Sequence, residues 1–360
     1  MISNRVKALK AYKTEVTPAS VRLSSNEFPY DFPDEIKAKV LEAVKKIPLN
    51  KYPDPESKEL REVLSDFFGV PEENLLLGNG SDELIYYLNL AIGEFFHPVF
   101  IPVPTFPMYE IAATAFGRPI VSVELNEEFD INLEESLKRI EEEKPVLAFF
   151  SYPNNPTGNL FSRKKIEKIR EKGLFCVIDE AYYHYCGETF LKDALTREDT
   201  VVLRTLSKIG MASLRVGILI GKEELVKELN KVRLPFNITY PSQVIAKVLL
   251  TEAKEFLEEK IKEVISERER VFRALGVMEG VEVFPSKANF LLFRTEFPAY
   301  EVYKALLKRD VLVRDVSYLP RLSRCLRVSV GKPEENDRFL NALEESLKEL
   351  KEKKGKEKSL

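Results

Sequence analysis

Arg204-Thr205-Leu206-Ser207-Lys208-Ile209-Gly210-Met211-Ala212-Ser213-Leu214-Arg215 is the stretch around which the chain is organised. A β-rich run over 200–203 precedes it and another over 216–220 follows. It sets a lysine flanked by hydroxyls, with an arginine shortly after, where an apolar α/β core leaves its strand end. Such a lysine can form a Schiff base with an aldehyde cofactor that carries a phosphate. The hydroxyls and Arg215 would hold the phosphate, and Lys208 the carbonyl carbon. With 55 lysines and arginines in the chain, most of them on solvated faces, one lysine decides nothing. Its companions have to.

Working outward, apolar runs alternate with helical patterns. Strands are expected over 75–77, 99–103, 120–124, 146–151, 174–179, 201–203 and 216–220. Helices are expected over 34–47, 57–68, 107–116, 133–143 and 163–172, with one more from the 78–83 turn to residue 92. The strands lack period-two alternation, so both faces are buried. That predicts an α/β fold with a mostly parallel central sheet and helices on each side. Ligands in such sheets bind beyond the C-terminal strand ends. Residues 1–33, with Pro18, Pro29 and Pro33, read as an extended N-terminal arm, and Lys51-Tyr52-Pro53-Asp54-Pro55 as a stiff connector. Residues 34–250 form the expected large cofactor-binding domain. A single long helical stretch over 243–275 leads out of it. Residues 251–360, with contributions from the N-terminal segment, read as a smaller α+β domain. Its strands are expected over 281–284, 289–293, 311–313 and 325–330, its helices over 298–308 and 334–352, and 353–360 as frayed.

Three hundred and sixty residues exceed one small core, which also argues for a large domain plus a smaller one. Hydrophobic residues make up 44% and charged ones 31%, as in a soluble globular protein, and a net charge of -3 invites neither nucleic acid nor an anionic membrane. The N-terminus has no apolar signal core, and the longest uncharged stretch, 145–162, is broken by three prolines. Cys176, Cys186 and Cys325 show no metal or disulfide spacing, which points to the cytoplasm. His97 and His184 share no spacing with acids or cysteines, so no metal site is expected.

Four further segments can carry chemistry. Gly78-Asn79-Gly80-Ser81-Asp82-Glu83 is a tight turn into a helix N-terminus, suited to a phosphate, although a plain capped turn reads the same way. It lacks the third glycine of a dinucleotide fingerprint. Phe106, after the 99–103 strand, can stack on an aromatic ligand or serve the core. Asn154-Asn155-Pro156-Thr157-Gly158 is a rigid polar loop whose amides can donate to a phenolic oxygen. Asp179 closes a buried strand, where a carboxylate needs a cationic or donor partner. A pyridinium N–H is such a partner, and Tyr182 would lie near the ring oxygen; an acidic first helical turn is the other reading.

In this order the segments resemble the fold-type I, pyridoxal-phosphate-dependent aminotransferases along nearly the whole chain. The motifs are Asn155-Pro156-Thr157-Gly158, Asp179-Glu180-Ala181-Tyr182 and Thr205-Leu206-Ser207-Lys208 followed by an arginine. Within that group the chain is most similar to the histidinol-phosphate aminotransferase family. The segments are Ser25-Asn26-Glu27-Phe28-Pro29, Tyr52-Pro53-Asp54, the 78–83 turn, Pro104-Thr105-Phe106-Pro107-Met108-Tyr109 and Leu326-Arg327-Val328-Ser329-Val330-Gly331.

The resemblance implies pyridoxal 5'-phosphate as cofactor, with Lys208 in Schiff-base linkage and then moving the substrate Cα proton. It implies Asp179 on the pyridine nitrogen, Asn155 and Tyr182 on the ring oxygen, and Phe106 on the ring face. Gly80, Ser81, Asp82, Thr205, Ser207 and Arg215 would take the phosphate. Tyr52 would reach the neighbouring subunit's cofactor in a homodimer. Arg327 would grip the substrate's acidic group, Tyr12 and Asn26 would cover it, and Arg321 or Arg324 would add positive charge for a phosphate. The implied substrates are histidinol phosphate, glutamate and 2-oxoglutarate, in L-histidine biosynthesis. An aromatic amino acid aminotransferase, or a phosphothreonine decarboxylase of the same fold, shares most of these motifs. A regulator's cofactor-sensing domain is the reading from another class, but the chain has no added DNA-binding module. One departure stands out: seven positions separate Lys208 from Arg215, one fewer than the family's usual motif, which implies a shortened loop.

Overall fold

The structure, a computed structural model, describes residues 1–9 and 17–357. In chain order the strands are β1 (Val21–Arg22), β2 (Leu75–Asn79), β3 (Val99–Val103), β4 (Ile120–Glu124), β5 (Leu147–Ser151), β6 (Phe175–Asp179) and β7 (Thr200–Thr205). They continue as β8 (Val216–Ile220), β9 (Val281–Phe284), β10 (Phe290–Thr295), β11 (Val311–Leu312), β12 (Arg314–Asp315) and β13 (Cys325–Ser329).

The large sheet runs β2-β8-β7-β6-β5-β3-β4. Its strands from β7 to β4 are parallel, while β8 is antiparallel to both β7 and β2. Strands β5, β7 and β8 are buried along their whole length, which is why their sequences do not alternate. Because β8 runs backwards, its first end shares a rim with the last ends of β2, β6 and β7. Asn79, Asp179, Thr205 and Arg215 therefore meet at one edge of the sheet. Strands β3 and β5 pair only at Val99–Leu147 and Phe100–Ala148, and the loops that follow them open a crevice at that rim.

The smaller sheet, β12-β13-β10-β9, is antiparallel throughout. On β10 the alternation is clean. Leu291 and Phe293 enter one cluster with Val328 and Phe339, while Phe290 and Leu292 face the main core.

Several expectations need correction. The arm is not simply extended: Asn4–Ala8 is helical, and β1 pairs in parallel with β11, Val21 opposite Val311. The stretch over 243–275 is two helices, Tyr240–Glu252 and Lys254–Gly276, parted at Ala253, whose φ of -113° leaves the helical range. The first begins earlier than expected because the Thr239 side chain accepts the Ser242 N–H, a cap the reading passed over. The last helix spans Pro333–Glu357, so residues 353–357 continue it rather than fray, and 358–360 lie outside the described residues. The helix expected from 34 starts there, but Pro33 takes the cap position and it ends at Val44.

Candidate active site

The rim encloses a cleft of about 400 Å³ lined by Lys208, Asp179, Asn155, Tyr182, Phe106 and Arg327 among others. Lys208 ends a short 3-10 turn, Leu206–Lys208, directly after β7. Its Nζ donates to the Ser25 carbonyl at 3.3 Å, and Tyr185 Oη donates to the Lys208 carbonyl at 2.5 Å. Desolvation in the cleft, then the nearby Arg327 charge, lowers the Lys208 pKa to about 8.

Asp179 is buried at the end of β6. Burial pushes its carboxyl up to about 6, opposed by the Tyr109 hydroxyl donating to Oδ2 at 2.7 Å and the Ala181 N–H donating to Oδ1 at 3.1 Å. A carboxylate held there is costly unless a cationic or N–H partner faces it.

Arg215 adopts the left-handed conformation, φ 53°, and turns its guanidinium onto Asp82 Oδ2 at 3.1 Å and Ser207 Oγ at 3.3 Å. The shortened loop thus still delivers Arg215 beside Ser207. Thr205 Oγ1 accepts the Ser207 N–H at 3.1 Å. Gly80 and Ser81 begin the Gly80–Ala91 helix, passing so close to β8 that a Cβ on Gly217 would lie 2.4 Å from the Gly80 carbonyl carbon. A helix N-terminus, two hydroxyls and a guanidinium together form a cradle for a phosphate.

Asn154 and Asn155 divide their work. Asn154 is fully buried and ties the two crevice loops, accepting from Thr105 Oγ1 at 2.7 Å and donating to the Pro104 carbonyl at 3.0 Å. Asn155 lines the cleft, and its Oδ1 accepts from Arg327 Nη1 at 2.6 Å, which leaves Nδ2 as its donor. Arg327 Nη2 donates to the Ser24 carbonyl at 2.7 Å. Asn26 Nδ2 donates to Tyr182 Oη at 3.0 Å, and Ser329 Oγ bonds both the Asn26 N–H, at 2.8 Å, and its Oδ1, at 3.0 Å. The arm is therefore pinned across the cleft by β13.

Some expected residues lie elsewhere. Tyr12 falls outside the described residues. Tyr52 stays out of this chain's own cleft: it is 78% exposed and stacks on Phe236, centroids 4.5 Å apart. Arg321 does not line the cleft, because its backbone turns left-handed, φ 63°, and the side chain faces Glu124 at 3.7 Å. Arg324 takes a similar turn, φ 64°, and is exposed. Besides Arg215 and Arg327, Arg314 lines the cleft, opposite Arg327 in the β12–β13 ladder, with Tyr318 close by in sequence. The sequence reading missed both, and it missed Tyr109; the signal was present for Tyr109, one helical turn after Phe106. Among the described residues no group of His, Cys, Asp and Glu could hold a metal, and none of the helices is long and apolar enough to cross a membrane.

A phosphate cradle, a lysine of depressed basicity and a buried carboxylate that needs an N–H partner fit a planar, phosphate-bearing aromatic aldehyde. Residues 18–343 match the family described as Aminotransferase class I and II, and the chain belongs to that family. Within it, the chain stands with the histidinol-phosphate aminotransferases. The one from Aquifex aeolicus (strain VF5) is 75% identical over 350 residues, covering 97% of this chain and 99% of its own. The one from Hydrogenobaculum sp. (strain Y04AAS1) is 47% identical with the same coverage. Among solved structures, the histidinol-phosphate aminotransferase of Clostridium acetobutylicum superposes with a TM-score of 0.81 at 26% identity, over 90% of this chain and 98% of its own. That of Sinorhizobium meliloti, in complex with pyridoxal-5'-phosphate, shares the fold with a TM-score of 0.84 at 21% identity, over 97% of this chain and 98% of its own.

Proposed function

We propose that the chain transfers an amino group between glutamate and imidazole acetol phosphate, giving histidinol phosphate and 2-oxoglutarate, in L-histidine biosynthesis. Pyridoxal 5'-phosphate is the cofactor this cleft would hold. The observation that carries the reading is that Lys208 and Asp179 share one cleft with two separate basic groups, Arg215 and the Arg314–Arg327 pair. Relatives of 75% and 47% identity carrying the same name support it over the aromatic and phosphothreonine alternatives.

Arg215, Ser207, Thr205 and the backbone of Gly80, Ser81 and Asp82 bind the cofactor's phosphate. Phe106 covers its ring, and Asn155 Nδ2 and Tyr182 Oη hold the ring oxygen. Asp179, ionised above about pH 6, keeps a ring nitrogen protonated. When bound, the cofactor supplies an electron-withdrawing ring that stabilises charge developing at the substrate carbon. Lys208 would hold the cofactor by its carbonyl carbon and, as a free amine, would take the proton from the substrate Cα onto Nζ. With a pKa of about 8 it is partly neutral near neutral pH, as a base requires.

Arg327 grips the donor glutamate's carboxylate bidentately. Histidinol phosphate lacks that carboxylate, and its phosphate carries more charge, so Arg314 beside Arg327 answers the greater demand. The arm, through Asn26 and Ser24, closes over the substrate and excludes water. The enzyme works as a cytoplasmic homodimer, with Tyr52 reaching the neighbouring subunit's phosphate.

The test is a half-reaction followed by the visible absorbance of the holoenzyme. Histidinol phosphate, phenylalanine and phosphothreonine are added in separate mixtures. Rapid bleaching with histidinol phosphate, restored by 2-oxoglutarate, is expected. Equal bleaching by phenylalanine would make this a broad aromatic aminotransferase, and carbon dioxide release from phosphothreonine would make it a decarboxylase.

A further inference from the structure

Asp179 is not fixed by its own strand alone. Each carboxylate oxygen has a donor: the Ala181 N–H on Oδ1 at 3.1 Å and the Tyr109 hydroxyl on Oδ2 at 2.7 Å. Tyr109 comes from the second position of the Met108–Phe116 helix, beyond the neighbouring β5 and β3. It has no exposed surface and lies flat on Phe149 of β5, centroids 4.9 Å apart and planes 8° apart. Its other side meets Phe106 edge-on at 5.6 Å and 84°. A phenol so held cannot swing away, and burial beside Asp179 raises its pKa well above the usual phenol value. It is therefore a neutral donor to Asp179, with the Ser151 side chain as its other hydrogen-bonding neighbour. Other charges reach Asp179 as well: Asp82, from the helix after β2, raises its pKa, and Lys208, after β7, lowers it. Tyr182, three positions on in the chain, acts on Tyr109 instead and raises its pKa. Of the side chains, Tyr109 is the strongest influence, and it is the one in direct contact through a hydrogen bond.

We propose that Tyr109 is a positioning residue for the amino-transfer reaction, fixing the plane of the Asp179 carboxylate and holding it ionised toward the ring nitrogen of the cofactor. The Phe106–Tyr109 edge contact joins two supports of the ring, the residue on its face and the residue behind its nitrogen, in one packed unit. This rests on the assignment of Asp179 in the preceding section. The hydroxyl, not the ring, is the part that matters: a phenylalanine would keep both aromatic contacts and lose only the donor.

The test is a double-mutant cycle on the holoenzyme with Tyr109→Phe, Asp179→Asn and the pair. Tyr109→Phe should lower kcat by about ten- to a hundredfold, the range for one hydrogen bond to a charged group, with KM for histidinol phosphate unchanged. Added to Asp179→Asn, it should cost nothing further. A second readout needs no cofactor. In the apoprotein, Asp179 has a folded pKa raised to about 6, so its protonated form favours folding at low pH and that contribution is lost as pH rises through about 6. Without the hydroxyl the loss should move to higher pH. Phe149→Leu, which loosens the stack and keeps the hydroxyl, should lower thermal stability and leave that pH profile in place. Full additivity of the two losses, or a Tyr109→Phe profile like that of Phe149→Leu, would overturn the proposal and leave Tyr109 a core residue. Asp179→Asn with normal turnover and cofactor affinity would instead overturn the site assignment beneath it.

Discussion

Lys208 shows how a single side chain takes its chemistry from its surroundings. Its ammonium gives up hydration inside the cleft and faces Arg327, while Glu27 and Asp82 return only part of the loss. A lysine depressed to about 8 is half neutral at that pH, whereas an ordinary lysine needs a pH near 10.4. The apoprotein should therefore capture pyridoxal 5'-phosphate at a rate that climbs through pH 8 and is level by pH 10, roughly two units above its pKa. Absorbance followed at a series of pH values measures this, and a midpoint near 10 would remove the desolvation argument. Lys208→Ala should abolish both capture and transamination while keeping the circular dichroism of the native chain. At this scale the sequence was most readable where a residue ends a strand. Lys208, Asp179 and Asn155 each follow an apolar run, and strand ends of a parallel sheet share a rim. Arg321 was not readable, because the direction of a loop arginine depends on a left-handed turn that its neighbours do not announce. Arg314 was passed over because an arginine among many charged residues carries no mark of its own.

Between β6 and β7 the fold places an ion pair where the sheet would otherwise be apolar. Arg204 Nε and Nη2 donate to Glu180 Oε2 at 3.2 and 3.0 Å, and both side chains are buried. Thr189 Oγ1 and the Phe190 N–H complete the set around the carboxylate, and the guanidinium lies 3.7 Å from the Tyr183 ring centroid. Burial raises the Glu180 pKa while Arg204 pulls it down. Glu180 follows Asp179 and Arg204 precedes Thr205, so the pair holds the two strand ends on which the cleft is built. Arg204→Met should cost about 3–5 kcal/mol, since it strands a buried carboxylate, and adding Glu180→Leu should recover most of that. Urea denaturation of the three proteins reads this, and an exposed pair's loss, under about 1 kcal/mol, would contradict it. The core strands were legible because short apolar runs without alternation, bounded by turn residues, stand apart from the amphipathic helices between them, whereas the two-residue strands β1 and β12 are too short to leave such a run. The break at Ala253 was not: both flanking helices are helical by pattern, and only the backbone angles of one residue separate them.

Over the whole molecule, the apolar surface is uneven. Tyr52 stacks on Phe236, and both are exposed, as are Leu49, three residues before Tyr52, and Leu234, two before Phe236. Such a patch on a chain whose Tyr52 avoids its own cleft fits a subunit interface that shares residues. Co-expressed Lys208→Ala and Tyr52→Ala chains should then show more activity than either variant alone, because one site of each mixed dimer keeps both groups. Activity no greater than the better parent would place Tyr52 outside the site. The arm spans the molecule in another sense. Val21 pairs with Val311, and Asn26 meets Ser329 across 303 residues of sequence. Closing so long a loop costs little more than closing a shorter one, but it cannot happen until both ends exist. A ribosome delivers the N-terminal end first. Residues 204–215 have emerged while the arm still waits for its partner strands. A nascent chain thus carries Lys208 well before it carries Arg327, the residue proposed to grip the substrate.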